Sequence, residues 1–426
     1  MPRTSGRADR ARVATRPLHV AHLWQAIRTL PPVMWLAAVP LVIWVYLLLF
    51  RGRFWRTGVR LPIVAAPASW PSVAVVVPAR NEELVLGASL PTLIDQDYPG
   101  PLQVVLVDDR STDETAEVAR RLGAQPGGRV VPVVVVGEEP PPGWSGKLWA
   151  VDQGIRAVSS VGPAVEPPAG PPAPEFLLLT DADIAHPRSS VRQLVAWAEA
   201  ARLDQVSLMA RLRVHTGWER LLIPAFVYFF AELYPFRWVN RHGRKTAAAA
   251  GGCVLVRRQA LERAGGISAI RGAVIDDVAL AKALKGSGSV IWLGLADEVR
   301  SIRAYQGLGD LWDMVARSAY TQLGFSLVLL LGTLAGLAIT FVGPVAAVVG
   351  GLAGGAPAVT LVGAVSLLAM ELTYLPVIRY HRLGWWRVVG LPVAACLYGA
   401  MTVSSARRHY RKGVAWKGRR YGAATG

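Results

Sequence analysis

Acidic residues in this chain gather where short apolar runs end, and their spacing is the first chemical signal. Asp181-Ala182-Asp183 sets two carboxylates one residue apart, directly after the apolar run 176–180. Both can reach one hard divalent cation, which prefers oxygen ligands and would bridge a diphosphate. An isolated Asp-x-Asp is more often a solvated loop than a metal site, so its weight comes from its company. Asp108 and Asp109 end another apolar run, where a carboxylate can accept hydrogen bonds from a nucleobase or ribose. Asp276-Asp277 precedes Val278-Ala279-Leu280, which reads as a helix start, and the helix dipole stabilises acids there whatever their chemistry. Lys147 follows Gly146, which suits a turn placing the lysine at a helix start; the bland alternative is a solvated helix residue.

The elements that must carry these residues alternate between β-branched runs and helical segments, the pattern of a parallel sheet flanked by helices. Strands are predicted at 73–77, 104–107, 130–136 and 176–180, each a near-continuous apolar run suited to burial on both faces. In an open α/β sheet, ligands bind beyond the carboxyl ends of the strands. Those ends are polar here: Pro78-Ala79-Arg80-Asn81-Glu82 after the first, Asp108-Asp109 after the second, and Asp181-Ala182-Asp183 after the fourth. Ser111-Thr112-Asp113-Glu114 predicts a capping box opening the helix after the second strand. The Pro-rich stretch 162–174 reads as a surface excursion. No strand is followed by Gly-x-Gly-x-x-Gly and no P-loop pattern occurs, which argues against a dinucleotide oxidoreductase and a P-loop enzyme.

Outside this region the composition changes. The chain is 52% hydrophobic and 18% charged, too apolar for an ordinary soluble protein. Residues 29–50, 318–370 and 388–406 contain no charged side chain, and each stretch approaches or exceeds the ~20 apolar residues that span a bilayer. The net charge of +17 concentrates beside them, at Arg51, Arg53, Arg56 and Arg60 and again between Arg407 and Arg420. Such clusters anchor on anionic headgroups, and no nucleic-acid motif accompanies them. Cys253 and Cys396, the only cysteines, are far apart, so neither a disulfide frame nor a zinc site is expected. The first apolar stretch is long, begins late and lacks a small-residue cleavage site, and is read as a retained anchor. The expected organisation is a basic segment 1–32, an anchor 33–50, a catalytic domain 71–322, a transmembrane region 325–406 and a basic tail 407–426.

Five motifs, taken in order, carry a specific resemblance: Val-Val-Val-Pro-Ala-Arg-Asn-Glu-Glu (75–83), Val-Asp-Asp-Arg-Ser-Thr-Asp (107–113), Gly-Lys-Leu-Trp-Ala-Val-Asp-Gln-Gly (146–154), Thr-Asp-Ala-Asp (180–183) and Ile-Asp-Asp (275–277). Together they resemble the inverting nucleotide-sugar glycosyltransferases of family 2, with the A-type fold. The segments 141–150, 207–213 and 248–253 look more closely like the hopene-associated glycosyltransferases. The resemblance implies an α/β fold with a nucleotide-sugar-binding domain on a mainly parallel sheet, here with transmembrane helices at both ends. It implies that Pro78, Ala79, Arg80 and Glu82 border the nucleotide, that Asp109 and Asp108 contact the base, and that Lys147 faces the donor phosphates. Asp181 and Asp183 would handle ribose and a divalent cation, Mg2+ or Mn2+. An inverting displacement needs one general base opposite the departing diphosphate, supplied by Asp276 or Asp277. The family usually carries Glu-Asp there, with the second residue as base, which favours Asp277 in this Asp-Asp sequence. The processive motif Gln-x-x-Arg-Trp does not follow the base, so transfer of a single sugar is expected; the segment 317–322 either closes over the donor or is a membrane-entry helix.

The acceptor expected is a lipid, a hopanoid or, alternatively, a polyprenyl phosphate or a ceramide-type lipid. The aromatic stretch 221–236, followed by Arg237, Arg241, Arg244 and Lys245, is read as lying in the lipid interface, with core filling as the alternative. Nucleotide sugars are cytosolic, so a multi-pass protein of the plasma (inner) membrane is expected, its catalytic domain cytoplasmic. A full third span at 388–406 would send the basic tail outside against the positive-inside tendency, and a re-entrant or interfacial segment would remove that conflict. A non-catalytic module binding nucleotide sugar or lipid is the competing class, disfavoured because Asp181, Asp183 and Asp277 are all present. A glycoside hydrolase would have no need of acids at nucleotide-type strand ends.

Overall fold

The computed structural model describes residues 32–160, 173–412, 414–416 and 419–421. The expected segment 1–32 (but for its last residue), most of the excursion 162–174 and parts of the tail 407–426 lie outside the described residues. An eight-stranded sheet has the order β3-β2-β1-β4-β7-β6-β8-β5. Its strands are β1 Val73–Ala79, β2 Leu102–Asp108, β3 Val133–Val136, β4 Phe176–Thr180, β5 Ile184–Ala185, β6 Gln205–Arg211, β7 Cys253–Arg257 and β8 Ile291–Ser301. Strands β3, β2, β1 and β4 run parallel, β7 is antiparallel to β4 and β6, β8 is parallel to β6, and β5 is antiparallel to β8. All four predicted strands are present, with β3 shorter than 130–136.

The apolar runs of β1, β2 and β4 are continuous because both faces of the sheet are covered there, whereas β3, expected to be buried on both faces, is a partly exposed edge strand. Along β1, Val73, Val75 and Val77 enter one core with Leu86, Leu90, Val191 and Leu194 from helices Glu83–Ile94 and Ser190–Ala200. Ala74 and Val76 point the other way, into a core with Leu148, Ile223, Tyr228 and Leu280 from helices Gly146–Ser160, Gly217–Leu233 and Asp276–Gly286. The strand period of two splits one run between two cores, where burying each large aliphatic side chain contributes about 1.5–3 kcal/mol. The second core runs without interruption into the C-terminal helices through Tyr374, Val377, Tyr398 and Met401.

Among the described residues three helices, Leu327–Ala353, Pro357–Tyr380 and Trp385–Arg411, are long and apolar enough to cross a membrane, the last starting with a 3-10 segment, Trp385–Gly390. At the other end, helix Pro32–Leu49 is shorter, with 16 residues in its apolar part Met34–Leu49, so spans of full length stand on the C-terminal side and not clearly at both ends. This helix packs on the C-terminal set: Trp44 Nε1 donates to the Thr340 carbonyl at 2.8 Å, and its ring meets Phe341 edge-on. Thr340 lies in a π-helical turn, Ala338–Val342, which frees backbone carbonyls from their regular partners and so offers an acceptor to an indole in apolar surroundings.

Two expectations change. The aromatic stretch fills a core, the alternative of its two readings: Leu222, Ile223, Val227, Tyr228 and Ala231 of helix Gly217–Leu233 are buried. Phe229 meets Phe341 and Tyr398, and the Tyr228 and Thr373 hydroxyls are 2.8 Å apart. The helix is the seam between sheet and C-terminal helices, and its large rings fill both sides of that seam. Second, the helix after β2 is Thr115–Gly123, with no capping box at 111–114. The Ser111 hydroxyl accepts from the Asn81 N–H at 3.0 Å instead, and Asp113 serves the Thr115 N–H at 3.1 Å. A capping box does open helix Gly217–Leu233, where the side chains of Thr216 and Glu219 each accept from the other's backbone N–H.

Glu219 is fully buried and accepts N–H bonds from His215 at 2.7 Å, Thr216 at 2.8 Å and Tyr305 at 3.2 Å. Burial opposes its ionisation, but the N–H donors of Thr216, His215 and Tyr305 outweigh burial and hold the carboxyl below its ordinary 4.5. Such a group contributes stability above its unfolded pKa that is lost as pH falls through the folded one. Glu219→Ala is expected to cost about 2–3 kcal/mol at neutral pH by leaving buried donors without acceptors. Thermal unfolding in detergent checks this, and the gap to wild type should close on acidification below 4.5.

Candidate functional site

Parallel pairing brings the polar strand ends side by side. Ala79 of β1 is in register with Asp108 of β2, and Val76 with Leu179 of β4, so residues 78–82, 108–109 and 181–183 emerge along one edge. Asn81 and Arg110, at φ 51° and 54°, turn the chain sharply just beyond the first two strands. Arg80 Nη1 donates to the Asp109 carbonyl at 2.6 Å and the Asp109 N–H to the Ala79 carbonyl at 2.7 Å, locking these two ends together. Asp108 and Asp109 are buried there, with Asp108 Oδ1 accepting from the Ser111 N–H at 3.3 Å.

Lys147, at the start of helix Gly146–Ser160 as expected, joins two remote acids. Its Nζ lies 2.7 Å from Asp181 Oδ1 and 2.9 Å from Asp276 Oδ2. Asp276 and Asp277 open helix Asp276–Gly286, so both the dipole reading and a chemical one apply to them. Asp277 Oδ2 accepts from the Gly251 N–H at 2.9 Å and Oδ1 from the Val278 N–H at 2.7 Å. Pro78, Lys147, Asp181, Gly251, Asp276 and Asp277 line one cavity.

A second cation links the remaining acids. Arg303 Nε lies 2.9 Å from Asp183 Oδ2, while its Nη2 reaches both Glu82 carboxylate oxygens at 2.8 and 2.9 Å. The Ser301 hydroxyl adds a donor to Asp183 Oδ2 at 3.1 Å. Asp183 therefore belongs to a Glu82–Arg303 cluster along the same edge, outside the lining of the Lys147 cavity. Sequence reasoning missed Arg303; its one signal is its place two residues beyond β8, a strand with no acidic motif at its end.

The electrostatics follow from crowding. Burial raises the Asp181 carboxyl, neighbouring Asp183 and Asp276 raise it further, and Lys147 opposes them. Asp277 is pushed up to about 7 by burial and by Asp276, against Lys147 and the two N–H donors. Tyr234, at the end of the aromatic helix, is raised by burial and by the charge of Asp277, and its hydroxyl accepts from Gln322 Nε2 at 2.6 Å. His186, three residues past Asp183, is buried with its ring nitrogens against Thr180 and Ser190 hydroxyls, and burial lowers it to about 4.

Glu82, Asp181, Asp183 and Asp276 thus pair with Lys147 or Arg303, and Asp277 feels the charge of Lys147 without contacting it. Hard oxygen donors in excess of local positive charge suit a divalent cation. Yet among the described residues no three His, Cys, Asp or Glu side chains converge as a metal site. Asp181 and Asp183, the expected metal pair, each pair with a side-chain cation of the chain itself, Lys147 and Arg303.

Residues 71–312, more than half of the 426-residue chain, match the family described as Glycosyltransferase like family 2. The chain belongs to that family. It is 40% identical over 84 residues to 4,4'-diaponeurosporenoate glycosyltransferase of Staphylococcus aureus strain bovine RF122 / ET3-1, and 39% identical over 84 residues to that of strain USA300. Each match covers 20% of this chain and 20% of the relative, a fifth of the relatives' length. The mannosyltransferase PcManGT of Pyrobaculum calidifontis, solved with GDP-Man and Mn2+, shares the fold with TM-score 0.51 and 19% identity, covering 89% of this chain and 99% of that structure.

Lys147→Ala would leave Asp181 and Asp276 without their common cation. The expected loss is about 1–3 kcal/mol at neutral pH, less than for a fully buried pair because all three groups are partly exposed. A carboxyl raised in the folded chain takes up protons more readily there than in the unfolded chain, so stability grows as pH falls. The deficit should shrink on acidification; thermal unfolding at neutral and mildly acid pH, in detergent, measures it.

Proposed function

We propose that this protein is an inverting glycosyltransferase that moves one sugar from a nucleotide-sugar donor to a membrane lipid. The observation carrying this reading is the cavity shared by Lys147, Asp181, Asp276 and Asp277, which pairs a phosphate-attracting cation with a carboxylate of raised pKa. Pro78, Ala79, Arg80 and Glu82 border the nucleotide, Asp108 and Asp109 contact its base, and Lys147 turns from Asp181 to the donor phosphates. Asp181 and Asp183 hold a divalent cation, Mg2+ or Mn2+, which when bound neutralises the diphosphate leaving group. Asp277 takes the acceptor hydroxyl proton, its carboxylate aimed by the Gly251 and Val278 N–H groups, while Asp276 keeps Lys147 in place. The catalytic unit comprises 71–322, with helices at 33–50 and 325–406 placing it on the cytoplasmic face of the inner membrane.

The lipid acceptor is supported by the neighbourhood of the base. Tyr234 feels the charge of Asp277 and is hydrogen-bonded to Gln322, four residues before the first C-terminal span begins at Ser326 and Leu327. The S. aureus relatives are named for glycosyl transfer to 4,4'-diaponeurosporenoate, and the P. calidifontis protein was solved with GDP-Man and Mn2+. The motifs 141–150, 207–213 and 248–253 make a hopanoid the preferred acceptor.

Purified membranes incubated with labelled nucleotide sugars are expected to yield a labelled lipid, with EDTA abolishing the label and Mg2+ or Mn2+ restoring it. Asp277→Asn should slow transfer by about 10²–10⁴-fold, the typical share of a general base. A base must be ionised, so the wild-type rate should climb with pH through about 7, the range to which Asp277 is raised. Equal labelling by wild type and Asp277→Asn would reject Asp277 as the base.

A further inference from the structure

Helix Trp385–Arg411 is apolar enough to cross a bilayer, yet it touches the α/β domain along its whole length. At its start, Gly390 packs so closely on Leu221 that a Cβ there would fall 2.9 Å from Leu221 Cδ1. In its middle, the Tyr398 hydroxyl donates to the Leu222 carbonyl at 2.9 Å and the ring meets Phe229 edge-on. Towards its end, Ser405 Oγ accepts the Tyr320 N–H at 3.0 Å, and Arg408 Nη2 lies 2.6 Å from Asp313 Oδ1. Leu221, Leu222 and Phe229 belong to helix Gly217–Leu233, which packs on the sheet through Ile223 and Tyr228. Asp313 belongs to helix Leu308–Ala316, whose Leu311 enters the same core. Gly390 and Arg408 stand about 27 Å apart along a helix, close to the ~30 Å of a bilayer's hydrocarbon. One helix cannot cross that thickness and keep both ends against a domain that stays on one side of it.

The other side of the helix is bare. Val389, Val393, Cys396, Ala400 and Val403 are exposed, at alternating steps of four and three residues, so they form one apolar stripe. Charge stands only at the two ends of this stripe, at Arg382 and Arg387 before it and Arg407 and Arg411 after it. Trp385 and Trp386 are 71% and 55% exposed, and the Arg387 guanidinium lies 4.4 Å from the Trp386 ring centroid. Exposed tryptophan beside arginine is the composition of a membrane–water boundary. Cations at both ends suit the headgroups of one leaflet, whereas a crossing helix would carry one of the two sets to the far side.

We infer that helix Trp385–Arg411 lies in the plane of the membrane, its apolar stripe among the acyl chains of one leaflet and its other side carrying the α/β domain. The first half of helix Leu327–Ala353 lies beside it, with Leu334 and Leu337 against Gly399. The π-helical turn Ala338–Val342 follows at once, a place where helices change direction. The basic residues from Arg407 onward then stay on the side of the domain, in keeping with the positive-inside tendency that a third span would break.

The test is electron paramagnetic resonance of a nitroxide on the full chain in vesicles of phosphatidylethanolamine and phosphatidylglycerol. Cys396 is exposed and Cys253 buried, so the label reports Cys396 in the unaltered sequence. Collisions with oxygen and with a water-soluble nickel chelate give its depth. In the plane, Cys396 should lie about 5–10 Å into the headgroup–acyl boundary; in a crossing helix this mid-helix position would lie near the bilayer centre, about 15 Å down. Val389→Cys, Val393→Cys, Ala400→Cys and Val403→Cys, each with Cys396→Ser, should give the same shallow depth. Depths that change steadily along this series, or a central Cys396 in the unaltered chain, overturn the placement. Arg407→Cys and Arg121→Cys, each with Cys396→Ser, should react with a membrane-impermeant maleimide from the same side of sealed vesicles. Reaction from opposite sides overturns it as well, and none of these readouts depends on sugar transfer.

Discussion

Too many carboxylates held close by too few cations is the constraint on which this structure turns. The ends of β1 and β4 and the start of helix Asp276–Gly286 each deliver acids to one edge, where Lys147 and Arg303 pair with them. Partial burial makes both the repulsion and the pairing stronger than in water. Each cation ties elements remote in sequence: Lys147 joins β4 to helix Asp276–Gly286, and Arg303 joins the ends of β1, β4 and β8. The site is therefore assembled by charge.

The same crowding divides roles between adjacent residues. Asp276 has Lys147 beside it at 2.9 Å, whereas Asp277 has two backbone N–H donors and no side-chain cation in direct contact among its described partners. One acid of the pair is engaged by charge and the other is left basic, separated by a single peptide unit.

Helix Gly217–Leu233 fastens this edge to the apolar helices. It packs through Tyr228 and Phe229 against Tyr374, Phe341 and Tyr398, and Glu219 at its start binds the chain just beyond β8 through Tyr305. Tyr234 at its end reaches the neighbourhood of Asp277. A single helix thus links the chain just beyond β8, the neighbourhood of Asp277 and the helices long enough for a bilayer.

Local patterns determined a good deal. The apolar runs specified β1, β2 and β4 because burial on both faces demands continuous apolar side chains, and the acidic strand ends marked one polar edge because parallel strands expose their carboxyl ends together. Gly146 and Val278-Ala279-Leu280 marked helix starts that place Lys147 and Asp276-Asp277. What tertiary structure alone decided were matters of partnership. Ser111 could cap its own helix by local pattern, but a neighbouring loop offered the Asn81 N–H. The rings of 221–236 suit lipid or core equally by composition, and only the packing of Phe341, Tyr374 and Tyr398 chose the core. Arg303 stands 120 residues from Asp183 and 221 from Glu82, too remote for any spacing rule to connect them. Spacing reports which face or end of an element a residue occupies, while a long-range ion pair depends on which elements come to lie together.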